Sequence, residues 1–569
     1  MGGIRKTTIA LYLLQRLKEV GIDTIFGVPG DYNLSFLDIL ENDKELTWGN
    51  NANELNAAYA ADGYARVKGA GAVLTTFGVG ELSATNGIAG SYAEMVPVIH
   101  LVGTPSTSSQ ATGALLHHSL GNGDFSVFIN MYTNITAASA HLTTGSAARQ
   151  IDEVLSTCLR RRRPGYIGIP ADIVNHEIMV EDIPLDYSIP KNPPETQEAA
   201  LKAIIQAIEV ARHPIIIADA CVVRNHMHKD VAELVKVSGF PVYSAPMSID
   251  VVDHNLPNYR GCYSGASSLD KVKEEVLHSD LILELGSEQT DVNTGGFTYG
   301  LVPSKVIEFH TFSTKVFYST YEKVAMQELV PLLIKYFPKQ ASRDIQKVIK
   351  DLGPRAQRSI TPPGETMLQD YFWNKIVDYL PERSVVIAET GTPALGAFNL
   401  TIPKDCIFIC QVLWGSIGYT VPSTLGAALA DRSRRVFLMV GDGSFQLTAQ
   451  EVSVMLHHGV CPIILLFNND GYLIEKLLHA YGRKYNDFQM WEYANTFNYM
   501  GANLAINQKR ATRPFRIGVQ NKITTRKEFE SAMHQAIAQP DHIHFLEIIF
   551  PSNDAPEEVI KHSGSYGGT

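Results

Sequence analysis

The sequence predicts an α/β protein built as three doubly wound parallel-sheet domains. Three observations carry that prediction. Short apolar runs alternate with segments of helical period along nearly the whole chain, the pattern of βαβ units in layered sheets. Two polar, proline-bearing stretches, 184–196 and 339–364, interrupt the alternation and read as linkers. The 569 residues exceed what one hydrophobic core accommodates, and length alone points to three or four domains. Domains are therefore expected at 1–183, 197–338 and 365–569.

In chain order, residues 8–20 repeat apolar side chains at helical spacing (Ile9, Leu13, Leu14, Leu17, Val20), and Gly21 ends the helix. Thr24-Ile25-Phe26-Gly27-Val28-Pro29-Gly30-Asp31 then reads as a short strand running into a Gly/Pro loop. An alanine-rich helix is predicted over 53–66, entered through Asn51-Ala52-Asn53 as a cap. Strands follow at 72–76, 98–102 and 166–169. Residues 160–163, all arginine, stand before Pro164 and read as a helix C-terminus, where cations oppose the helix dipole. The second pattern has strands at 214–218, 241–243, 281–285 and 305–308.

The third pattern carries the stretch with the most chemistry. An apolar run over 436–440 turns abruptly into Gly441-Asp442-Gly443-Ser444, a helix is expected over 448–456, and a second run over 463–467 ends in Asn468-Asn469-Asp470-Gly471-Tyr472. In a parallel sheet ligands bind beyond the carboxyl ends of strands, and both polar clusters sit there. Asp442 offers a carboxylate, Asn469 a side-chain carbonyl and Gly471 a backbone carbonyl, hard oxygen ligands that suit magnesium bridging to phosphate. Gly443 lets the backbone approach a diphosphate, and Ser444 adds a hydroxyl and an N–H at a helix start. The tetrapeptide alone reads as a turn before a helix cap; the paired asparagines after the next strand reverse that balance.

Composition narrows the function classes. The apolar fraction of 45% is that of a soluble globular protein, and a net charge of -11 argues against nucleic acid or an anionic membrane as a general partner. Cys158, Cys221, Cys262, Cys406, Cys410 and Cys461 are scattered without a disulfide or zinc framework. Cys406 and Cys410 flank a strand-like Ile-Phe-Ile and read as packing. No run is long enough to span a bilayer, Met1-Gly2 leads to Lys6 rather than a myristoylation hydroxyl, and the last three residues form no peroxisomal address. A cytoplasmic location is expected.

The motif from Gly441 to Asn469 resembles the thiamine-diphosphate and magnesium motif of thiamine-dependent enzymes. The text around it, Gln411-Val412-Leu413-Trp414-Gly415-Ser416-Ile417-Gly418 and residues 468–476, is similar to the 2-oxo acid decarboxylases, fungal pyruvate decarboxylases in particular. So are Gly27-Val28-Pro29-Gly30-Asp31 and the segment 116–125 around His117-His118. The resemblance covers nearly the whole chain and implies a pyrimidine-binding, a middle and a diphosphate-binding domain, in that order. It implies a carboxy-lyase that removes carbon dioxide from pyruvate or a bulkier 2-oxo acid through a thiamine-diphosphate enamine, releasing an aldehyde.

The same resemblance implies roles. Asp442, Asn469 and the Gly471 carbonyl would hold Mg2+, with Gly443, Ser444, Thr390 and Thr392 along the cofactor. Glu54 would hydrogen-bond the aminopyrimidine, Ile417 would wedge beneath the bent cofactor with Ile474 nearby, and Gly415 would offer its carbonyl to the 4'-amino group. Asp31, His117, His118 and Glu475 would manage protons and orient the substrate carboxylate. Adjacent histidines by themselves more often cap or pack, and His457-His458, late in a helix, is read that way. In this family the two domains that share one cofactor belong to different subunits, which implies a homodimer at least and a homotetramer commonly.

Departures from the family pattern lie in the substrate pocket. Val292 stands where the pyruvate enzymes carry a bulky aromatic, Pro393-Ala394-Leu395 replaces a segment usually ending in phenylalanine, and Leu473 replaces a threonine beside Glu475. Room for a longer substituent is expected at 292 and 395, whereas Thr390 and Ile474 match the pyruvate enzymes. Cys221 matches a cysteine proposed for substrate activation, but the relaying histidine is replaced by Met95, so weak or absent sigmoidal activation is expected. Two further readings stay open: a carboligase forming 2-hydroxy ketones from the same residues, and, lower, a non-catalytic cofactor-binding regulator.

Overall fold

The computed structural model describes residues 3–358 and 361–566; Met1-Gly2 and the C-terminal tripeptide considered for lipidation and targeting lie outside them. The apolar runs become strands of three large sheets. The first has the order Thr47–Trp48, Thr24–Gly27, Gly71–Thr76, Val98–Thr104, Gly165–Pro170, Ala138–His141, parallel throughout. The third repeats this topology with Ile407–Ile409, Val385–Ala388, Val436–Gly441, Ile463–Asn468, His542–Ile549 and Arg516–Ile523. Counted in chain order within each sheet, both read 2-1-3-4-6-5. Each sheet therefore has a switch point beside its first strand, where connections leave to opposite faces and a crevice opens.

The middle sheet has five parallel strands, Tyr259–Cys262, Val242–Ser244, Pro214–Ala218, Leu281–Leu285 and Val306–Phe309, followed by Ser313–Val316 and Ser319–Glu322. The last two pair antiparallel, an edge that the sequence reading did not anticipate. A separate antiparallel pair, Ile4–Thr8 with Glu177–Glu181, closes the first domain on its own N-terminus. Among the described residues no helix is long and apolar enough to cross a membrane.

Local rules explain the helix starts. Thr8 caps the helix Ile9–Glu19 by accepting the Leu11 N–H at 3.3 Å, and Gly21 follows it in the left-handed region. Asn53 caps Glu54–Lys68 by accepting the Asn56 N–H at 2.8 Å. The arginine run closes the helix Ala147–Arg161, with Arg162 left-handed at the cap, as expected. One expectation needs correction: Gly441-Asp442-Gly443-Ser444 is not a turn before a helix at 448. The helix Asp442–Thr448 begins directly at the strand end, and a second one, Glu451–His458, follows it.

The first and third domains of one chain dock through two helices that cross closely. A Cβ on Gly63 of Glu54–Lys68 would strike Ser423, and one on Gly426 of Thr420–Ala430 would strike the Ala60 carbonyl. Around that crossing lies a buried ionic network. Arg66 pairs with Asp62 at 2.7 Å, and Asp62 also accepts the Tyr419 hydroxyl at 2.6 Å.

Candidate active site

At the switch point of the third sheet, Val385–Ala388 and Val436–Gly441 lie side by side, so Thr390 and Asp442 flank one crevice. Asp442 is 2% exposed and is the first residue of its helix. Its carboxylate accepts backbone N–H groups from Gly443 at 2.7 Å, Asn469 at 3.1 Å and Gly471 at 3.2 Å. Burial pushes it up to about 6, against the pull of those three donors. The Asn469 side chain, buried beside it, makes no hydrogen bond to any described residue. A buried carboxylate without a cationic side chain, next to a free amide oxygen, is a donor set that fits a small hard cation.

Glycine is required at two positions here. At Gly471, with φ of 119°, a Cβ would sit 2.6 Å from the Asn486 carbonyl oxygen. At Gly443 a Cβ would collide with Tyr472 and come within 2.8 Å of the Phe488 ring. Lys476 donates to the Asp470 carbonyl at 2.8 Å and pins the same loop.

The opposite wall is built by residues 389–418. The Thr390 hydroxyl donates to the Gln411 carbonyl at 3.3 Å, and Gln411 accepts the Ser416 N–H at 3.0 Å. Gly415 is left-handed at 58° and faces the Thr390 methyl, while Ile417 remains 36% exposed beyond it. Thr392 opens the helix Thr392–Ala397, which carries Ala394 and Leu395, both buried. Ile474 packs beside Gly391, and Ile474, Leu395 and Val292 belong to one apolar cluster. Leu473 is buried, whereas Glu475, on the same short helix, presents an exposed carboxylate with no partner among the described residues.

The first sheet presents its own group at its switch point. Glu54 is half-buried at the N-terminus of its helix, and burial raises its carboxyl above the usual range. Its Oε1 lies so close to Gly80 that a Cβ there would approach to 3.1 Å. Asp31 pairs with His117, and its second oxygen lies 3.7 Å from His118 Nε2. Tyr32 stacks on the His117 ring with centroids 5.0 Å apart. His118 is left-handed at 64°, and its carbonyl fills the space that a Cβ on Gly78 would need.

The fold thus assembles two half-sites. Among the described residues no hydrogen bond or ion pair joins Glu54, Asp31, His117 or His118 to the group formed by Thr390, Asp442, Asn469 and Glu475. His458 reaches the Gly49 carbonyl at 2.8 Å, a packing contact between domains in keeping with the bland reading of that pair. Cys406 and Cys410 flank the strand Ile407–Ile409 and are buried.

Three buried carboxylates that sequence reasoning passed over support the half-sites. Glu389 accepts the Thr390 N–H at 3.0 Å and the Thr420 hydroxyl at 2.6 Å, tying the two ends of the 389–418 wall together. Glu94, from the first domain, accepts the Leu413 and Trp414 N–H groups at 2.8 and 3.1 Å, immediately before Gly415. Glu451 accepts the side-chain amides of Asn51 and Asn56 at 2.6 and 2.8 Å, on either side of Glu54. Nothing local marks Glu94 or Glu451, whose partners lie hundreds of positions away in sequence, and Glu389 is tied to Thr420 across 31 positions.

Comparison with known proteins follows the same division. The chain matches the N-terminal TPP (thiamine pyrophosphate) binding domain of thiamine pyrophosphate enzymes over residues 7–124, their central domain over 201–331 and their C-terminal TPP binding domain over 391–548. It is 41% identical over 561 residues to pyruvate decarboxylase isozyme 3 of Saccharomyces cerevisiae, covering 97% of each chain. It is likewise 41% identical over 561 residues to the pyruvate decarboxylase of Kluyveromyces marxianus, again covering 97% of each.

Proposed function

The chain belongs to the thiamine pyrophosphate enzymes, and on that premise we propose that it is a decarboxylase of 2-oxo acids, pyruvate or a bulkier analogue, releasing an aldehyde and carbon dioxide. The observation that carries this reading is the pair of half-sites at equivalent switch points of two sheets with one strand order. One half offers hard oxygen ligands and a glycine-lined crevice; the other offers a carboxyl group raised by burial and a carboxylate–imidazole cluster.

Asp442, Asn469 and the Gly471 carbonyl would hold Mg2+, whose charge would keep Asp442 ionised despite its burial. Gly443, Ser444, Thr390 and Thr392 would line the diphosphate side, with Ile417 and Ile474 in apolar contact. When bound, thiamine diphosphate would supply the electron sink that a 2-oxo acid needs to lose carbon dioxide. Glu54, kept protonated more readily by burial, would donate to the aminopyrimidine, and the Gly415 carbonyl, steadied by the bond from Leu413 N–H to Glu94, would accept from it. Asp31, His117, His118 and Glu475 would bind the substrate carboxylate and deliver a proton to the product.

Among the described residues no hydrogen bond or ion pair joins Glu54 to Asp442, in keeping with a site shared between two subunits, a homodimer or a dimer of dimers. On this reading residues 1–183 bind the pyrimidine, 197–338 form the middle domain and 365–569 bind the diphosphate. Six unpaired cysteines suit a cytoplasmic setting. Val292, Ala394, Leu395 and Leu473 would border the substituent of the 2-oxo acid.

The test is product analysis with pyruvate and with longer 2-oxo acids in the presence of Mg2+ and thiamine diphosphate. One aldehyde per carbon dioxide supports the reading. A 2-hydroxy ketone as the main product would replace it with carboligation, and cofactor binding without turnover would point to a regulator.

A further inference from the structure

The structure assigns a second cation site to Asp31, His117 and His118, one that takes a borderline transition metal such as zinc instead of magnesium. Among the described residues this is the single place where three His, Cys, Asp or Glu side chains converge, with ligand atoms all within 4.8 Å of one another. Neighbouring histidine rings also occur at His457/His458 and His542/His544; Asp541 pairs with His542 alone, and among the described residues neither pair completes a converging set of three.

The cluster is held in place from behind. Tyr32 lies parallel to the His117 ring, at 12° between planes, and meets the His118 ring edge-on. The Tyr32 hydroxyl also donates to the His117 carbonyl at 3.2 Å. The left-handed His118 backbone, packed onto Gly78, fixes where the second imidazole leaves the chain. The side chains themselves stay free to close: they are 59%, 44% and 33% exposed for His117, Asp31 and His118. Zinc bonds of about 2.0 Å would set the three ligand atoms roughly 3.3 Å apart, parting Asp31 slightly from His117 and bringing it nearer to His118, rotations these side chains can make.

Ligand chemistry selects the ion. Two imidazole nitrogens and one carboxylate suit zinc, cobalt or nickel, while magnesium holds out for oxygen and reluctantly sheds water. The oxygen set at Asp442, Asn469 and Gly471 has the reverse preference, so two cations of different hardness would be sorted between two half-sites. Three protein ligands leave a coordination position open on the substrate side, where water or a small carboxylate can bind. Occupation removes both imidazole lone pairs from proton transfer, so the ion acts as a reversible inhibitor. That consequence rests on the function proposed above; the binding itself does not.

The experiment uses the holoenzyme, saturated with thiamine diphosphate and millimolar magnesium. Zinc is titrated against turnover, and cobalt is titrated by its visible absorption. One cobalt per chain with an imidazole-ligated band, and turnover lost to micromolar zinc and regained with a zinc-selective chelator, are expected. His118→Gln and Asp31→Asn should each weaken cobalt affinity by about tenfold or more. An unchanged band and affinity in both variants, or displacement of cobalt by millimolar magnesium, would overturn the site. Residue-dependent binding without inhibition supports the site and contradicts the proton-handling roles instead.

Discussion

The Glu451 carboxylate accepts the Asn51 side-chain amide at 2.6 Å, tying a helix of the third domain to the loop that leads into Glu54. Glu451 is fully buried, and burial pushes it up to about 7 from an ordinary value of 4.5, against the pull of Asn51 and Asn56. The folded protein therefore keeps a proton that the unfolded chain releases. Stability from this group is full below about 4.5 and is lost as pH rises through about 7. Glu451→Gln, which cannot ionise, should gain on the parent between pH 5 and 8 by about 1–3 kcal/mol. Thermal melts across that range check it; a difference independent of pH would show that Glu451 does not titrate there.

Cys221 is predicted to play no part in activation. Its thiol is buried against Met95, with sulfur atoms 3.7 Å apart, and burial next to Glu288 pushes it up to about 12. So little thiolate at neutral pH leaves a poor nucleophile. The rate should rise hyperbolically with pyruvate, and Cys221→Ser should follow the same curve. A sigmoidal curve abolished by that substitution would reverse the prediction.

Val292 is predicted to set substrate length. It packs against the same extended apolar cluster as Leu395 and Ile474. Val292→Phe should lower kcat/KM for a long-chain 2-oxo acid relative to pyruvate by roughly tenfold or more, the worth of one or two methylenes of pocket space. An unchanged ratio would place the substituent elsewhere.

A shared site predicts complementation between two inactive chains. Glu54→Gln and Asp442→Asn should each be inactive alone, yet random mixing into dimers should restore about a quarter of the sites. Activity that stays absent in verified mixed dimers would mean that one chain supplies both halves.

Much of the fold was legible because burial on both faces writes itself as continuous apolar text. Ile463–Asn468 and Leu281–Leu285 could be read directly, and Asn53 announced the helix of Glu54. The candidate cation ligands stood out in the sequence because hard ligands need particular residue types at strand ends, and the structure brings Asp442 and Asn469 together. The helix start at Asp442 was not, since Gly-Asp-Gly carries turn propensity that the strand end and the three donors to its carboxylate override. Nor were Ser313–Val316 and Ser319–Glu322, short edge strands whose pairing depends on neighbours. Glu94, Glu389 and Glu451 look like ordinary helix or strand-end carboxylates; the docking of two domains gives Glu94 and Glu451 their partners, and Glu389 finds Thr420 inside its own domain.

Turnover of pyruvate by Glu54→Gln, with cofactor occupancy measured on the same sample, tests the central claim most directly. The account predicts occupancy close to that of the parent and a rate lower by about 10²–10⁴-fold, the range of a lost acid–base group. Parental turnover at equal occupancy would contradict it.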